Sequence, residues 1–257
     1  MTAPSSKAAP PRARRLLLIL PLIALGTLAI AVAMSHGGKA AGVLRADPET
    51  ILDDPALRET ALKAGKEVFA QHCAACHGEN GKGDTRIGAS DLTDRDRLYG
   101  DGTVSQIEDI ARYGIRAGNK RGWNLAVMPA YASPVPDKAE ALPPQKPADI
   151  EALTQLLLSF TARATDEAAV ARGRLVYSKA GCWDCHGRDL GGDPAIGAPN
   201  LTDDVWIYGG RADDIRRSIS HGRAGTSPAF GRTLTPAQLR SVTVYVASLS
   251  RTEQDGK

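Results

Sequence analysis

Two stretches, one late in each half of the chain, carry apolar side chains at helical spacing. Ile150, Leu153, Leu156, Leu157 and Phe160 fall on one face of a 3.6-residue period, and Leu239, Val242, Val246 and Leu249 repeat the arrangement. Each has a start signal. Pro147-Ala148-Asp149 opens the first, while Thr235 is the expected N-cap of the second, with Pro236 at its first helical position. Shorter amphipathic runs predict helices over 61–71, 104–113, 168–179 and 212–220. No convincing strand alternation occurs. Residues 16–34 are different in kind: 19 positions without a charge, long enough to cross a bilayer as a helix despite Pro21.

The pattern also repeats over most of the chain. Gly65-Lys66-Glu67-Val68-Phe69 corresponds to Gly173-Arg174-Leu175-Val176-Tyr177, Asp91-Leu92-Thr93-Asp94 to Asn200-Leu201-Thr202-Asp203, and Leu98-Tyr99-Gly100 to Ile207-Tyr208-Gly209. Gly114-Ile115-Arg116-Ala117-Gly118 returns as Gly222-Arg223-Ala224-Gly225, one residue shorter. Each copy ends in one of the two long amphipathic stretches. The expected organisation is a terminal segment 1–15, a transmembrane anchor 16–34, a linker 35–60 and domains over 61–162 and 168–251. Five prolines stiffen residues 131–147, and the short join 161–167 is expected to hold two domains side by side.

Within the copies lie Cys73-Ala74-Ala75-Cys76-His77 and Cys182-Trp183-Asp184-Cys185-His186, which use all four cysteines. C-x-x-C-H is the attachment signature of c-type haem: the thiols form thioethers to the porphyrin and the adjoining imidazole becomes the proximal iron ligand. A shared zinc site is a poorer reading, because the halves are 109 positions apart and each sits in its own copy. A thioredoxin-like pair lacks its βαβ context, and two disulfides would close very small loops. The reading is therefore an all-α chain, an N-terminal transmembrane helix followed by two tandem cytochrome c domains. It would carry two covalently bound haem c groups on Cys73, Cys76, Cys182 and Cys185, with His77 and His186 on the irons and no catalytic residue.

The sixth ligands are unequal. Met128, followed by Pro129, is the one methionine in either expected domain and reads as the distal ligand of the first haem. In the second copy Ser227 stands at the aligned position. Three options follow for the second haem: His221 swings in, water fills the site, or the position stays open. Trp183, Trp206 and Arg223 are candidates for packing or pairing at a haem edge, and His72 is expected to face solvent.

Charge adds orientation. Lys7, Arg12, Arg14 and Arg15 give the first 15 residues +4 against a total of +3, so the remainder is near −1 and nothing suggests nucleic acid. Basic residues before the apolar run place the N-terminus in the cytoplasm and the haem domains in the periplasm, on a single-pass inner-membrane anchor. The rival reading is a cleaved secretory signal, because Ala31-Val32-Ala33 resembles a cleavage site, although the apolar run is long for one.

The string Gly197-Ala198-Pro199-Asn200-Leu201-Thr202-Asp203-Asp204-Val205-Trp206-Ile207-Tyr208-Gly209-Gly210, followed by Ser218-Ile219-Ser220-His221-Gly222-Arg223, resembles the second haem domain of the dihaem subunit III of cbb3-type haem–copper oxidases. Residues 69–78 and Leu92-Thr93-Asp94 resemble the first. The resemblance implies an electron-transfer subunit that takes electrons from a soluble cytochrome c or from quinol–cytochrome c reductase. It would pass them toward the oxidase's monohaem and catalytic subunits. Ser227 in place of a second methionine, the missing tryptophan-rich segment before the anchor and the enlarged loop 119–127 depart from that family. They keep two alternatives in view: an independent dihaem carrier for a periplasmic dehydrogenase, or a ligand-binding or peroxidase-like haem protein.

Overall fold

The computed structural model describes residues 37–135 and 142–252. The expected anchor at 16–34 lies outside the described residues, among which no helix is long and apolar enough to cross a membrane. Among the described residues the architecture is helical, with isolated β-bridges and no strands. Helix α1 covers 37–45, followed by a 3₁₀ turn Pro48–Thr50, α2 Pro55–His72, α3 Ala74–His77 and α4 Val104–Tyr113. Then come α5 Pro147–Ser159, α6 Glu167–Lys179, α7 Trp183–His186, α8 Ala212–His221 and α9 Pro236–Thr252.

The starts follow from their caps. Asp54 accepts from Ala56 and Leu57 with Pro55 at the first position, which extends α2 six residues upstream of its expected start at 61. Thr235 and Gln238 form a reciprocal capping box at α9: the Thr235 N–H donates to Gln238 Oε1 (3.0 Å) and the Gln238 N–H donates to Thr235 Oγ1 (3.3 Å).

The two sequence copies do not pack as contiguous domains. Helix α9, which closes the second copy, packs on α2 and α4 of the first, while α5, which closes the first copy, packs on α6 and α8 of the second. Two equivalent glycines make the crossings close. A side chain at Gly65 would strike the carbonyl of Ser241, and one at Gly173 the carbonyl of Ala152. The expected boundaries 61–162 and 168–251 therefore describe the repeat, and the packed units exchange closing helices. Unit one holds α1 to α4 with α9, and unit two holds α5 to α8.

Two expected connectors gain new roles. The linker 35–60 is part of unit one, because Val43, Ile51 and Leu52 are buried with Ala61, Val104 and Val244. The join 161–167 is the turn of an α5–α6 hairpin. Its Arg163 donates to Asp204 Oδ1 and the Gly210 carbonyl, both at 2.9 Å, and the Thr165 N–H donates to Gln155 Oε1.

Candidate haem sites

Each C-x-x-C-H lies on a single helical turn, α3 or α7, just beyond the C-terminus of a long helix. The proximal imidazoles are held alike. His77 Nδ1 is 3.0 Å from the Ser90 carbonyl, and His186 Nδ1 is 3.0 Å from the Pro199 carbonyl. A carbonyl partner fixes the Nδ1–H tautomer and leaves Nε2 free to bind a metal. Burial lowers the His186 pKa, opposed by the Pro199 hydrogen bond, and so favours the neutral, ligating form.

Burial pushes the Cys73 and Cys182 thiols up to about 11, so neither has the thiolate character of a redox pair. All four cysteines are unpaired, and no cluster of three or more His, Cys, Asp or Glu side chains suited to a metal ion occurs among the described residues. The two motifs therefore share no four-ligand cluster of the kind a structural zinc ion needs.

Both motifs open onto one continuous, mostly apolar hollow that is partly open to solvent, lined by Cys76, His77, Cys182, Cys185, His186 and residues of both copies. The indole Nε1 of Trp206 is buried against it without a partner. An orphaned donor in an apolar cavity fits the carboxylate of a haem propionate, and neutral imidazoles beside paired cysteines fit haem c attachment.

The loops over the hollow are exchanged, as the helices are. Reciprocal hydrogen bonds of 3.0 Å join Ile115 to Ser227, and an equal pair joins Arg223 to Met128. Downstream of Met128, the Tyr131 N–H donates to the Ile219 carbonyl, and Tyr131 joins the buried cluster against which Cys182 and Met128 pack. Downstream of Ser227, the Phe230 N–H donates to the Ala111 carbonyl, and Phe230, Cys73 and Leu92 pack against the buried cluster of Val68, Phe69 and Leu239. Met128 thus packs in unit two and Ser227 is joined to unit one, whereas the sequence reading paired Met128 with the first haem. The cause is that the chain crosses between units just before each of these residues.

Other expectations move as well. His221 is exposed at the end of α8, its Nδ1 3.1 Å from the Arg217 carbonyl, and does not line the hollow. Trp183 is 37% exposed beneath Arg188 and also lies off the cavity, whereas Trp206 lines it. His72 is half-buried against Phe230 rather than solvent-facing.

Arg223 stacks 4.2 Å over the Tyr208 ring, and Arg116 donates to Tyr99 Oη at 2.8 Å. Arg116 takes φ +49°, which absorbs the extra residue of the first copy and returns its guanidinium to the equivalent tyrosine. The tyrosines themselves cross over. Tyr99 packs against Gly197 and Tyr208 against Gly88, contacts invisible without knowing that the copies interlock.

Helices enclosing paired C-x-x-C-H motifs with carbonyl-anchored imidazoles define a c-type cytochrome, which binds haem c covalently. Residues 62–161 match the Cytochrome c family and residues 168–246 the family described as cytochrome C oxidase, cbb3-type, subunit III. The cbb3-type cytochrome c oxidase subunit FixP of Azorhizobium caulinodans is 35% identical over 78% of this chain and 64% of its own length. FixP of Bradyrhizobium sp. is 35% identical over 83% and 70%, and subunit CcoP of Rhodobacter capsulatus 36% identical over 79% and 67%. The chain thus spans about two thirds of these relatives' lengths. A solved Kuenenia stuttgartiensis reducing HAO-like protein complex matches at 21% identity over 73% of this chain and 96% of that one, with a TM-score of 0.20, which carries no argument. The chain belongs to the cbb3-type cytochrome c oxidase subunit III family.

Proposed function

We propose that this protein is a membrane-anchored dihaem electron-transfer subunit of a cbb3-type oxidase, held by residues 16–34 with both haem sites in the periplasm. Its donor would be a soluble cytochrome c or quinol–cytochrome c reductase, and its acceptors the oxidase's monohaem and catalytic subunits. The observation that carries the reading is the pair of C-x-x-C-H turns, each with a carbonyl-anchored histidine, opening onto one shared cavity. Haem c, when bound, supplies reversible one-electron chemistry at its iron.

The chain's residues divide the remaining work. Cys73 and Cys76, and separately Cys182 and Cys185, tether the porphyrins, while His77 and His186 offer Nε2 to the irons. Met128, which packs against the same buried cluster as Cys182, would offer its thioether to the site of His186, and a histidine–methionine pair raises the potential. Trp206 Nε1 donates to a propionate, and Tyr131 and Leu153 help to exclude water from the cavity wall. One cavity spanning both motifs supports transfer between two sites within one chain. The Leu16–Met34 run supports the anchor.

Mass measurement and membrane co-purification test the reading. Two haem adducts per chain and recovery with a copper-containing oxidase are expected. A chain carrying fewer adducts, or one recovered free of any oxidase, sinks it.

A further inference from the structure

We propose that the cavity face opposite His77 is an open iron site for a small neutral diatomic ligand such as carbon monoxide or nitric oxide. The proposal rests on the haem reading above. The paired hydrogen bonds between Ile115 and Ser227 put Ser227 where the pairing of Arg223 with Met128 puts the methionine in the other unit. Phe230, three residues on, and Cys73 pack against one buried cluster, just as Tyr131, three residues beyond Met128, belongs to the cluster against which Cys182 packs.

A serine ends at Oγ, one atom short of the position of a methionine sulfur, and its neutral hydroxyl is a hard, weak donor beside a soft thioether. No second thioether and no further imidazole on the lining replaces it. Among the described residues, its other sulfur and imidazole groups are the haem-linking cysteines, the two proximal histidines and Met128. His221 lies off the cavity and His72 leans on Phe230.

Ile107, Ile110 and Ile115 line the same hollow, beside Arg97, Arg116 and Arg223, and a neutral diatomic passing the isoleucines loses little hydration. Binding is simple coordination to reduced iron and moves no electron or proton. The consequence is a subunit whose two sites are chemically unlike: one closed by sulfur, one able to report a dissolved gas.

The test uses the reduced full-length holoprotein in detergent, titrated with carbon monoxide. One carbon monoxide per chain is expected, falling to none in Ser227→Met and rising to two in Met128→Leu. Proton NMR of the reduced protein locates the site. The shifted methyl group of Met128 is expected to show Overhauser contacts to the meso protons of the porphyrin attached at Cys182. No carbon monoxide bound to a chain with two haem adducts overturns this proposal alone, as does unchanged binding in Ser227→Met. Contacts from the Met128 methyl to the porphyrin at Cys73 also overturn it. Fewer than two adducts removes the electron-transfer reading, and this proposal with it.

Discussion

Units one and two descend from the same repeat, yet their clamps have opposite polarity. In unit one, Glu108 of α4 pairs with Arg240 of α9 and with Arg112. In unit two, Arg216 of α8 pairs with Glu151 of α5 at 2.8 Å. Glu108 and Arg216 are each the fifth residue of their helix, as are Arg240 and Glu151. Had each copy closed on its own helix, Glu108 would have met Glu151, and Arg216 would have met Arg240. The hydrophobic faces of α5 and α9 are similar enough to serve either unit, so like-charge repulsion at one position per helix discriminates between them. The lesson is that a duplicated fold can fix which half closes which through a single inverted ion pair.

Breaking that inversion is expected to have the largest effect. Glu108→Arg with Arg216→Glu opposes the observed partners in both units. With Glu108 nearly buried, the cost is about 3–5 kcal/mol, read by thermal or denaturant unfolding of the holoprotein. Adding Glu151→Arg and Arg240→Glu restores opposite charges across both interfaces and is expected to recover most of the loss. Failure of the quadruple variant to recover any stability would show that the charges do not choose the partner.

Cavity-forming changes sharpen the same contrast. Leu239 and Leu156 are each 1% exposed, on α9 and α5. Leu239→Ala is expected to cost about 3 kcal/mol and to raise hydrogen exchange in α2 and α4 while leaving α6 protected. Leu156→Ala is expected to do the reverse. If exchange instead rises within the same sequence copy as each substitution, the exchanged packing is wrong.

Smaller effects follow at the crossings. Gly65→Ala puts a methyl group against the Ser241 carbonyl, for about 2 kcal/mol by overpacking. Gly173→Ala does the same at Ala152, and the paired losses in melting temperature are expected to be similar.

The smallest belongs to unit one alone. Glu49 accepts from the N–H groups of Val104 and Ser105, both at 2.9 Å, at the start of α4. Arg211, the N-cap of α8, makes no side-chain cap bond. Burial pushes the Glu49 pKa up, but the hydrogen bonds from Ser105 and Val104 outweigh it and hold the carboxyl below its ordinary value of 4.5. Its contribution is therefore fully present above pH 4.5 and is lost as pH falls through the lower folded-state value. Glu49→Gln is expected to cost about 1 kcal/mol near neutrality, and the difference from the parent should vanish in acid. A cost that persists unchanged in acid would remove the carboxylate from the explanation.

The local chemistry was legible in the amino-acid order. Four cysteines in two C-x-x-C-H motifs, the 3.6-residue periodicity and the start signals at Pro147 and Thr235 depend on residues near one another in the chain, and the last two located most helices within a few residues. Helix α1 and the burial of Ile51 were not legible, because their partners Val104 and Val244 are far away in sequence. Trp206 was singled out, but its unpartnered indole nitrogen needed the cavity to be seen.

What tertiary structure alone decided is ownership: which closing helix serves which unit, and into which unit Met128 and Ser227 pack. Similar copies make similar apolar faces, so periodicity cannot choose between partners. What distinguishes the partners in the structure is charge polarity at Glu108, Arg240, Glu151 and Arg216, together with a backbone that crosses over at Ile115 and Arg223.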